Sequence, residues 1–337
     1  MKYFFRINGV FLLALSLLFS SCETDVDVIA PYQEKMVVYG LLNQTDTIQL
    51  IKINKVFLGK GDALAMAQVP DSLNYNPDDL EVYLEEINAA GNVIRKIVLN
   101  DTLIPGGNPG IFTKEENMHF YTYEVLNKAN TYNLIAKNKK SGYFVSSRTP
   151  LIDLVAFKLL GNEVSFKTDE TTYSDFRPSF TTGKNGRDYQ LTIRFHYKEF
   201  VQGNDTVYKF LDWSQPVWSA SNLNGTDVRV ETVKGEDFYK YLQSRKDIAF
   251  SDNSVNRLPG NMELFITAGG EELNIYSEIS KPSSTVIYQE RPFYTNIKNG
   301  LGIFSCRYES VHVFRPLTFR SKLELASGQY TKDLNFQ

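Results

Sequence analysis

The stretch TYNLIAKNKKSGYFVSSRTP, Thr131–Pro150, decides the fold class. Thr131–Lys137 and Tyr143–Thr149 are strand-like runs, and Lys139–Gly142 between them has turn composition, so the pair predicts a β-hairpin. Proline cannot donate to a central ladder, and Thr149-Pro150 therefore marks the exit from the second strand.

Toward the N-terminus the same signals recur at short intervals. Met36–Leu42 and Thr47–Leu58 are apolar, β-branched runs separated by Asn43, Gln44 and Thr45. The apolar phase of the second run slips between Leu50 and Ile51, which predicts a bulge. Leu80–Ile87 alternates at Leu80, Val82 and Leu84, then Ala89-Ala90-Gly91-Asn92 turns into Val93–Leu99, a second hairpin. His119–Leu126 adds a strand, whereas Gly59–Asn76 reads as an irregular connection. Ile104–Gly110, IPGGNPG, is a loop, without the Lys-Ser/Thr and following helix that a phosphate-binding loop requires. Short strands at this spacing predict a sandwich. ANTYNL followed by a hairpin and a Thr-Pro exit resembles the closing strands of an immunoglobulin or fibronectin type III domain. Residues 34–150 are expected to form that sandwich, with a domain boundary at Pro150.

The second half, 151–337, restarts with Leu151–Lys158 and Val164–Lys167. Tyr189–Phe195 alternates cleanly, and Gly203-Asn204-Asp205 turns into Val207–Leu211. Val228–Val233, Met262–Ala268, Glu272–Ile279, Ile303–Phe314 and Leu317–Leu325 read as further strands. One helix is expected over Glu236–Asp247: acids lie at its positive end, and Phe238, Tyr241 and Leu242 share a face. The fold class is thus mainly β, an N-terminal immunoglobulin/fibronectin-like β-sandwich followed by a second predominantly β domain with one short helix. Asp212–Gly225, DWSQPVWSASNLNG, is a polar, turn-rich segment holding both tryptophans, Trp213 and Trp218. Two readings are open for them: contacts for a partner or ligand, since indoles suit interaction hot spots and stack on sugars, or rings folded back over the core.

Residues 1–21 read as a lipoprotein signal peptide. Lys2 and Arg6 precede the apolar run Val10–Phe19, which ends in Ser20, Ser21 and Cys22. The run is half of the about 20 residues a membrane-spanning helix needs, so removal rather than anchoring is expected. The segment resembles the lipobox of bacterial lipoproteins, which implies cleavage before Cys22 and acyl chains on its thiol and new amino group. Phe19 stands where leucine is commonest. An ordinary signal peptide with an incidental cysteine is the alternative. Residues 22–33 read as an acidic tether. Glu23, Asp25 and Asp27 resemble the export signal that surface lipoproteins of Bacteroidetes carry after the lipidated cysteine, and equally suit a solvated linker.

Of the 337 residues, 316 remain after the 21 that precede Cys22, above the roughly 250–300 at which single cores divide, so two domains are the default. Without Lys2 and Arg6 the 36 cations become 34 against 39 anions, with no basic block, and nucleic acid is not an expected partner. The 20 Tyr and 23 Phe suit half-buried sheet surfaces. A lipidated Cys22 leaves Cys306 without a disulfide partner, and its alternation with Phe304 and Tyr308 points it into a core.

AGGEELNIYSEIS and then PFYTNIKNGLGIFSCRY carry a wider resemblance, together with the lipobox, the opening KMVVYGLL and the TYNL…TP hairpin. The chain resembles the Bacteroidetes outer-membrane lipoprotein family labelled domain of unknown function 4249, over nearly all of its mature length. The distinctive residues are Tyr294, Thr295, Asn296 and Ile297, then Asn299, Gly300, Gly302 and Phe304. Because family members tend to be encoded beside TonB-dependent receptors, the resemblance implies an envelope role on the outer membrane without implying a reaction. Read as residues, Asn299-Gly300 supplies the positive φ of a tight hairpin turn, Gly302 permits close backbone approach, and Asn296 suits a buried backbone group. A ligand site is the other reading.

No catalytic residues, metal site or cofactor is read from the chain. It lacks a G-x-S-x-G elbow, and His119, His196 and His312 each stand alone in strand-like runs, without the spacing of a zinc site. The acidic pairs Asp78-Asp79, Glu85-Glu86, Glu115-Glu116 and Glu271-Glu272 point to opposite faces if they lie on strands. Three functions stay open: a non-enzymatic, lipid-anchored accessory of a TonB-dependent transporter, which leads; a surface glycan- or peptide-binding lipoprotein acting alone; and a hydrolase with a site assembled from distant residues.

Overall fold

The computed structural model describes residues 34–56, 69, 73–104, 117–201, 205–245, 255–281 and 293–337. Cys22, Glu23, Asp25 and Asp27, most of IPGGNPG and the Gly203-Asn204 part of a turn lie outside the described residues.

The first half builds two sheets. Strands β1 (Met36–Leu42), β2 (Gln49–Lys55), β5 (Asn100–Ile104) and β6 (Asn117–Thr122) lie in the order β1-β2-β6-β5. Strands β3 (Leu80–Ile87), β4 (Val93–Val98), β7 (Thr131–Asn138) and β8 (Phe144–Pro150) lie in the order β4-β3-β7-β8. These are the A-B-E-D and C′-C-F-G orders of an immunoglobulin-type sandwich. Inward residues of the two sheets, among them Met36, Val38, Ile51, Ile53, Val82, Leu84, Leu134 and Val145, belong to one buried cluster. Tyr132 near the start of β7 is fully buried, and its hydroxyl accepts the Asn127 N–H at 2.7 Å, which is the tyrosine corner of such sandwiches. The buried Glu86 beneath it accepts from Arg95 at 2.6 Å, Asn130 at 2.7 Å and Tyr132 at 3.1 Å. Burial alone would raise the Glu86 pKa, but these donors outweigh it and hold the carboxyl below its ordinary range.

The bulge expected between Leu50 and Ile51 is absent: β2 pairs with β1 and β6 in unbroken register. Gln49, not Leu50, takes the inward position, because its side-chain amide accepts the Asn43 N–H at 2.9 Å and donates to the Asn43 carbonyl at 2.7 Å. A polar residue can hold a core position when both ends of its amide are used, and Leu50 is left outside.

In the second half, β9 (Ala156–Leu159), β10 (Ser179–Thr181) and β14 (Val228–Val230) form a small sheet. The long strands β11 (Gly186–Val201) and β15 (Val255–Gly270) pair antiparallel, flanked by β12 (Val207–Ser214), β13 (Trp218–Ser219), β16 (Leu301–Glu309) and β17 (Val313–Pro316). The expected strand Ile303–Phe314 is two strands, divided at Ser310–His312. β16 also lies parallel to β1, from Val37 opposite Leu301 to Leu42 opposite Cys306. One ten-stranded sheet therefore runs β12-β11-β15-β16-β1-β2-β6-β5, with β13 and β17 off that path. The sandwich strands end at Pro150, yet this sheet joins both halves, and their buried side chains form one cluster.

Three α-helices occur among the described residues rather than one. Helix α1 is Gly235–Ser244, with Phe238, Tyr239 and Leu242 buried; the expected extension to Asp247 passes outside the described residues. Glu272–Ile279, expected as a strand, lies in helix α2 (Glu271–Ser280). Gly270 ends β15, and Glu271 and Glu272 then occupy the positive end of the helix. Leu317–Leu325, also expected as a strand, largely becomes helix α3 (Phe319–Ser327), whose Thr318 cap accepts the Ser321 N–H at 3.4 Å. Ser321 and Leu325, four apart, turn into the core.

Candidate functional site

The residues Tyr294 to Phe304 form the seam between the halves. Asn296 Nδ2 donates to the Phe304 carbonyl at 2.7 Å and Oδ1 accepts the Phe304 N–H at 2.9 Å, so one side chain takes the place of a strand neighbour. The Asn296 carbonyl accepts Ser147 Oγ at 2.9 Å, while Lys298 and Ser146 exchange backbone bonds, which ties the segment to β8. Ile297 is buried and Thr295 Oγ1 accepts its N–H at 3.1 Å. The Tyr294 hydroxyl donates to Glu272 on α2. Asn299 has φ +61°, and its carbonyl accepts the Tyr143 hydroxyl. Gly300 is needed for space rather than for positive φ: a Cβ there meets Ile297, the Met36 carbonyl and Val145, each at 2.9 Å. The turn leads into a parallel pairing with β1, not into a hairpin.

The two tryptophans lie on the core. Trp213 belongs to β12 instead of a loop, stacked on Tyr241 at 5.7 Å between centroids and facing Phe238 at 5.9 Å. Trp218, in β13, tilts against Tyr189 at 5.7 Å, with Arg229 over its ring at 5.3 Å. Both are half-buried. Trp213→Ala is expected to lower stability by about 2 kcal/mol, less than truncation of a fully buried ring. Thermal melts of the variant check this; an unchanged melting temperature with loss of a co-purifying protein would favour the contact reading.

The feature that sequence reading missed is a cluster on the outer face of β11, β12, β15 and β17. Arg194 and His196, two apart on β11, share that face, and Glu263 on β15 sits opposite Arg194. His196 Nε2 lies 2.5 Å from Glu263 Oε2, His312 Nδ1 pairs with Glu263 Oε1, and His312 Nε2 is 2.9 Å from Glu309. Thus two histidines isolated in sequence meet one carboxylate that is 4% exposed. His312 engages carboxylates through both ring nitrogens, which only the doubly protonated imidazolium can do as a donor. Burial lowers the His312 pKa, but the bonds to Glu263 and Glu309 outweigh it and raise it above the ordinary value. For Glu263 burial acts upward, and the two imidazoles outweigh it and hold the carboxyl low. Phe265 stacks on His312 at 4.4 Å, and Arg194 forms a two-pronged pair with Asp212 at 2.6 and 2.9 Å. Beside the cluster a groove of ≈ 340 Å³ is lined by His196, Lys198, Tyr208, Phe210 and Phe314. His119 stays apart in the first half, its Nδ1 3.0 Å from the Asn117 carbonyl.

A carboxylate holding an imidazole is half of an acyl-transfer triad. Among the described residues no Ser, Thr or Cys is hydrogen-bonded to either His196 or His312, and no group of three or more His, Cys, Asp and Glu is arranged to hold a metal ion. Cys306 is buried in β16, and burial pushes its thiol up to about 12, far from a nucleophilic thiolate. The histidine cluster acts as an ionic clasp between β15 and the β16–β17 bend. No family model matches the chain, and no curated protein is detectably similar to it.

Proposed function

We propose that this chain is a lipid-anchored outer-membrane protein that works by binding rather than catalysis, as an accessory of a TonB-dependent transporter. The observation that carries the anchoring is MKYFFRINGVFLLALSLLFSSC, two cations, ten apolar residues and a small-residue approach to Cys22. The transporter reading rests on the family resemblance of the segments around Tyr294–Phe304. Absence of catalysis is supported by the clasp geometry, in which the imidazoles meet carboxylates and not a nucleophile.

Cys22→Ala is expected to move the protein from the membrane fraction to the soluble fraction, checked by fractionation and by the mass of the mature N-terminal peptide. Equal membrane retention, or a peptide without acyl chains, overturns the anchor. Affinity purification from native membranes then tests the partner. A retained TonB-dependent receptor supports the accessory role; its absence, with retention on a glycan or peptide column, favours the second reading. That second reading draws on one observation, the rings of Tyr208, Phe210 and Phe314, each more than half exposed around the outer groove.

A further inference from the structure

A second cavity, of ≈ 440 Å³, lies where β1 and β16 run side by side, on the face of β1 that turns away from the sandwich core. On that strand Met36 and Val38 point inward, while Val37 and Tyr39 line the cavity. Leu73, Phe293 and Leu301 extend the apolar wall, and Gly302 also lines it. Volume and lining are those of a small-molecule site, mostly apolar with a few polar groups.

The charged groups are of one sign. Lys52 and Lys55, both on β2, lie at the cavity together with Asn54 and Asn117. Lys52 is half-buried, and its ammonium donates to Asn117 Oδ1 at 3.0 Å. Among the described residues neither lysine is paired with a carboxylate, whereas Lys96, Lys128, Lys140, Lys167 and Lys209 each are. Burial without a counter-charge pushes the Lys52 pKa down, a penalty that an anion in the cavity would remove. A cation held in an apolar hollow beside a neutral amide is complementary to a group that is itself anionic at one end and apolar at the other.

We propose that this cavity binds an amphipathic monocarboxylate, with its carboxylate on Lys52, which shares the cavity face with Tyr39 opposite it, and its hydrocarbon body against Val37, Tyr39, Leu73, Phe293 and Leu301. A free fatty acid and an aryl-substituted alkanoic acid share this chemistry. Asn117 serves as the neutral partner that orients the Lys52 ammonium when the site is empty.

Calorimetric titration of the full chain with decanoate, 4-phenylbutyrate and the uncharged decanol tests the assignment. Saturable binding of decanoate or phenylbutyrate is expected, the stronger of the two identifying an aliphatic or aryl body, with decanol weaker by about tenfold or more. Lys52→Met keeps the stem and removes the charge. It is expected to weaken carboxylate binding by about tenfold while leaving decanol binding and the melting temperature of the unliganded protein unchanged or higher. Binding of neither acid, equal binding of decanoate and decanol by the wild type, or undiminished decanoate binding by a folded Lys52→Met variant would each overturn the proposal. The comparison of decanoate with decanol needs no variant, so a misfolded Lys52→Met chain does not shield the idea.

Discussion

Gly302→Ala is expected to destabilise the whole protein by about 4 kcal/mol or more, enough to leave much of the chain unfolded if its stability is ordinary. Two effects add. Gly302 has φ +98°, where an L side chain is strained by about 1–3 kcal/mol. The added Cβ would also stand 2.1 Å from the Val38 carbonyl oxygen and 3.0 Å from the Val38 carbonyl carbon and nitrogen, all backbone atoms of β1. No side-chain rotation relieves that overlap, so β1 and β16 must separate. Since these strands are the join in the ten-stranded sheet, the damage reaches both halves. Gly91 provides a matched control. It also has positive φ, +84°, but nothing lies within 4 Å of its Cβ position, so Gly91→Ala is expected to cost only about 1 kcal/mol. Denaturant midpoints of the two variants separate strain from overlap. Equal losses would show that the close approach of the strands contributes nothing.

The same seam shows how far the sequence could be read. Alternation is a local signal, and it located β3 and β7 to within a residue because their inward residues, Leu80, Val82, Leu84 and Tyr132, Leu134, Ala136, are apolar, with the buried Glu86 of β3 the one exception. It failed at β2, where Gln49 occupies a core position through bonds to Asn43 that composition does not announce. It failed again at α2. Leu273, Ile275 and Ile279 suit a strand as well as a helix, and no α2 residue is fully buried, so hydrophobic period had little to report. The decisive helix signal was Gly270 followed by two acids. Pairing between Val37 and Leu301 has no signature at all, because what brings distant strands together is the summed fit of their faces. The tether and lipobox residues are legible only as sequence.

Candidate chemistry was legible in the same uneven way. His119 and His196 lie in strands as expected and His312 falls in the bend between β16 and β17, but whether such runs are neighbours depends on sheet order. His196 and Glu263 are separated by 67 positions and meet because β11 and β15 pair. A charged residue among apolar ones, Glu263 between Met262 and Leu264, was the available hint. Buried acids are retained where partners neutralise them, so an acid inside an apolar strand run directs attention to basic residues on other strands.

Glu263→Ala is expected to cost about 3 kcal/mol near pH 5.5, at the low end for breaking a buried ion pair because both imidazoles keep partial access to water. The effect has a pH signature. His312 has a folded pKa above its ordinary 6.5, so its stabilisation is complete below that value and is lost as pH rises through the folded pKa. Glu263 has a folded pKa below its ordinary 4.5, so its contribution is complete above that value and is lost as pH falls through the folded pKa. Between about 4.5 and 6.5 both contributions are full. Wild-type stability should therefore decline from pH 5.5 toward pH 8.5 more steeply than that of Glu263→Gln, which retains shape and hydrogen-bonding capacity but not the charge that favours imidazolium. Urea unfolding of wild type, Glu263→Gln and Glu263→Ala at both pH values measures the difference. Parallel pH slopes in the wild type and Glu263→Gln would mean that His312 is not held as a cation by this carboxylate, and the clasp would then be packing between rings, with Phe265 on His312 supplying the contact.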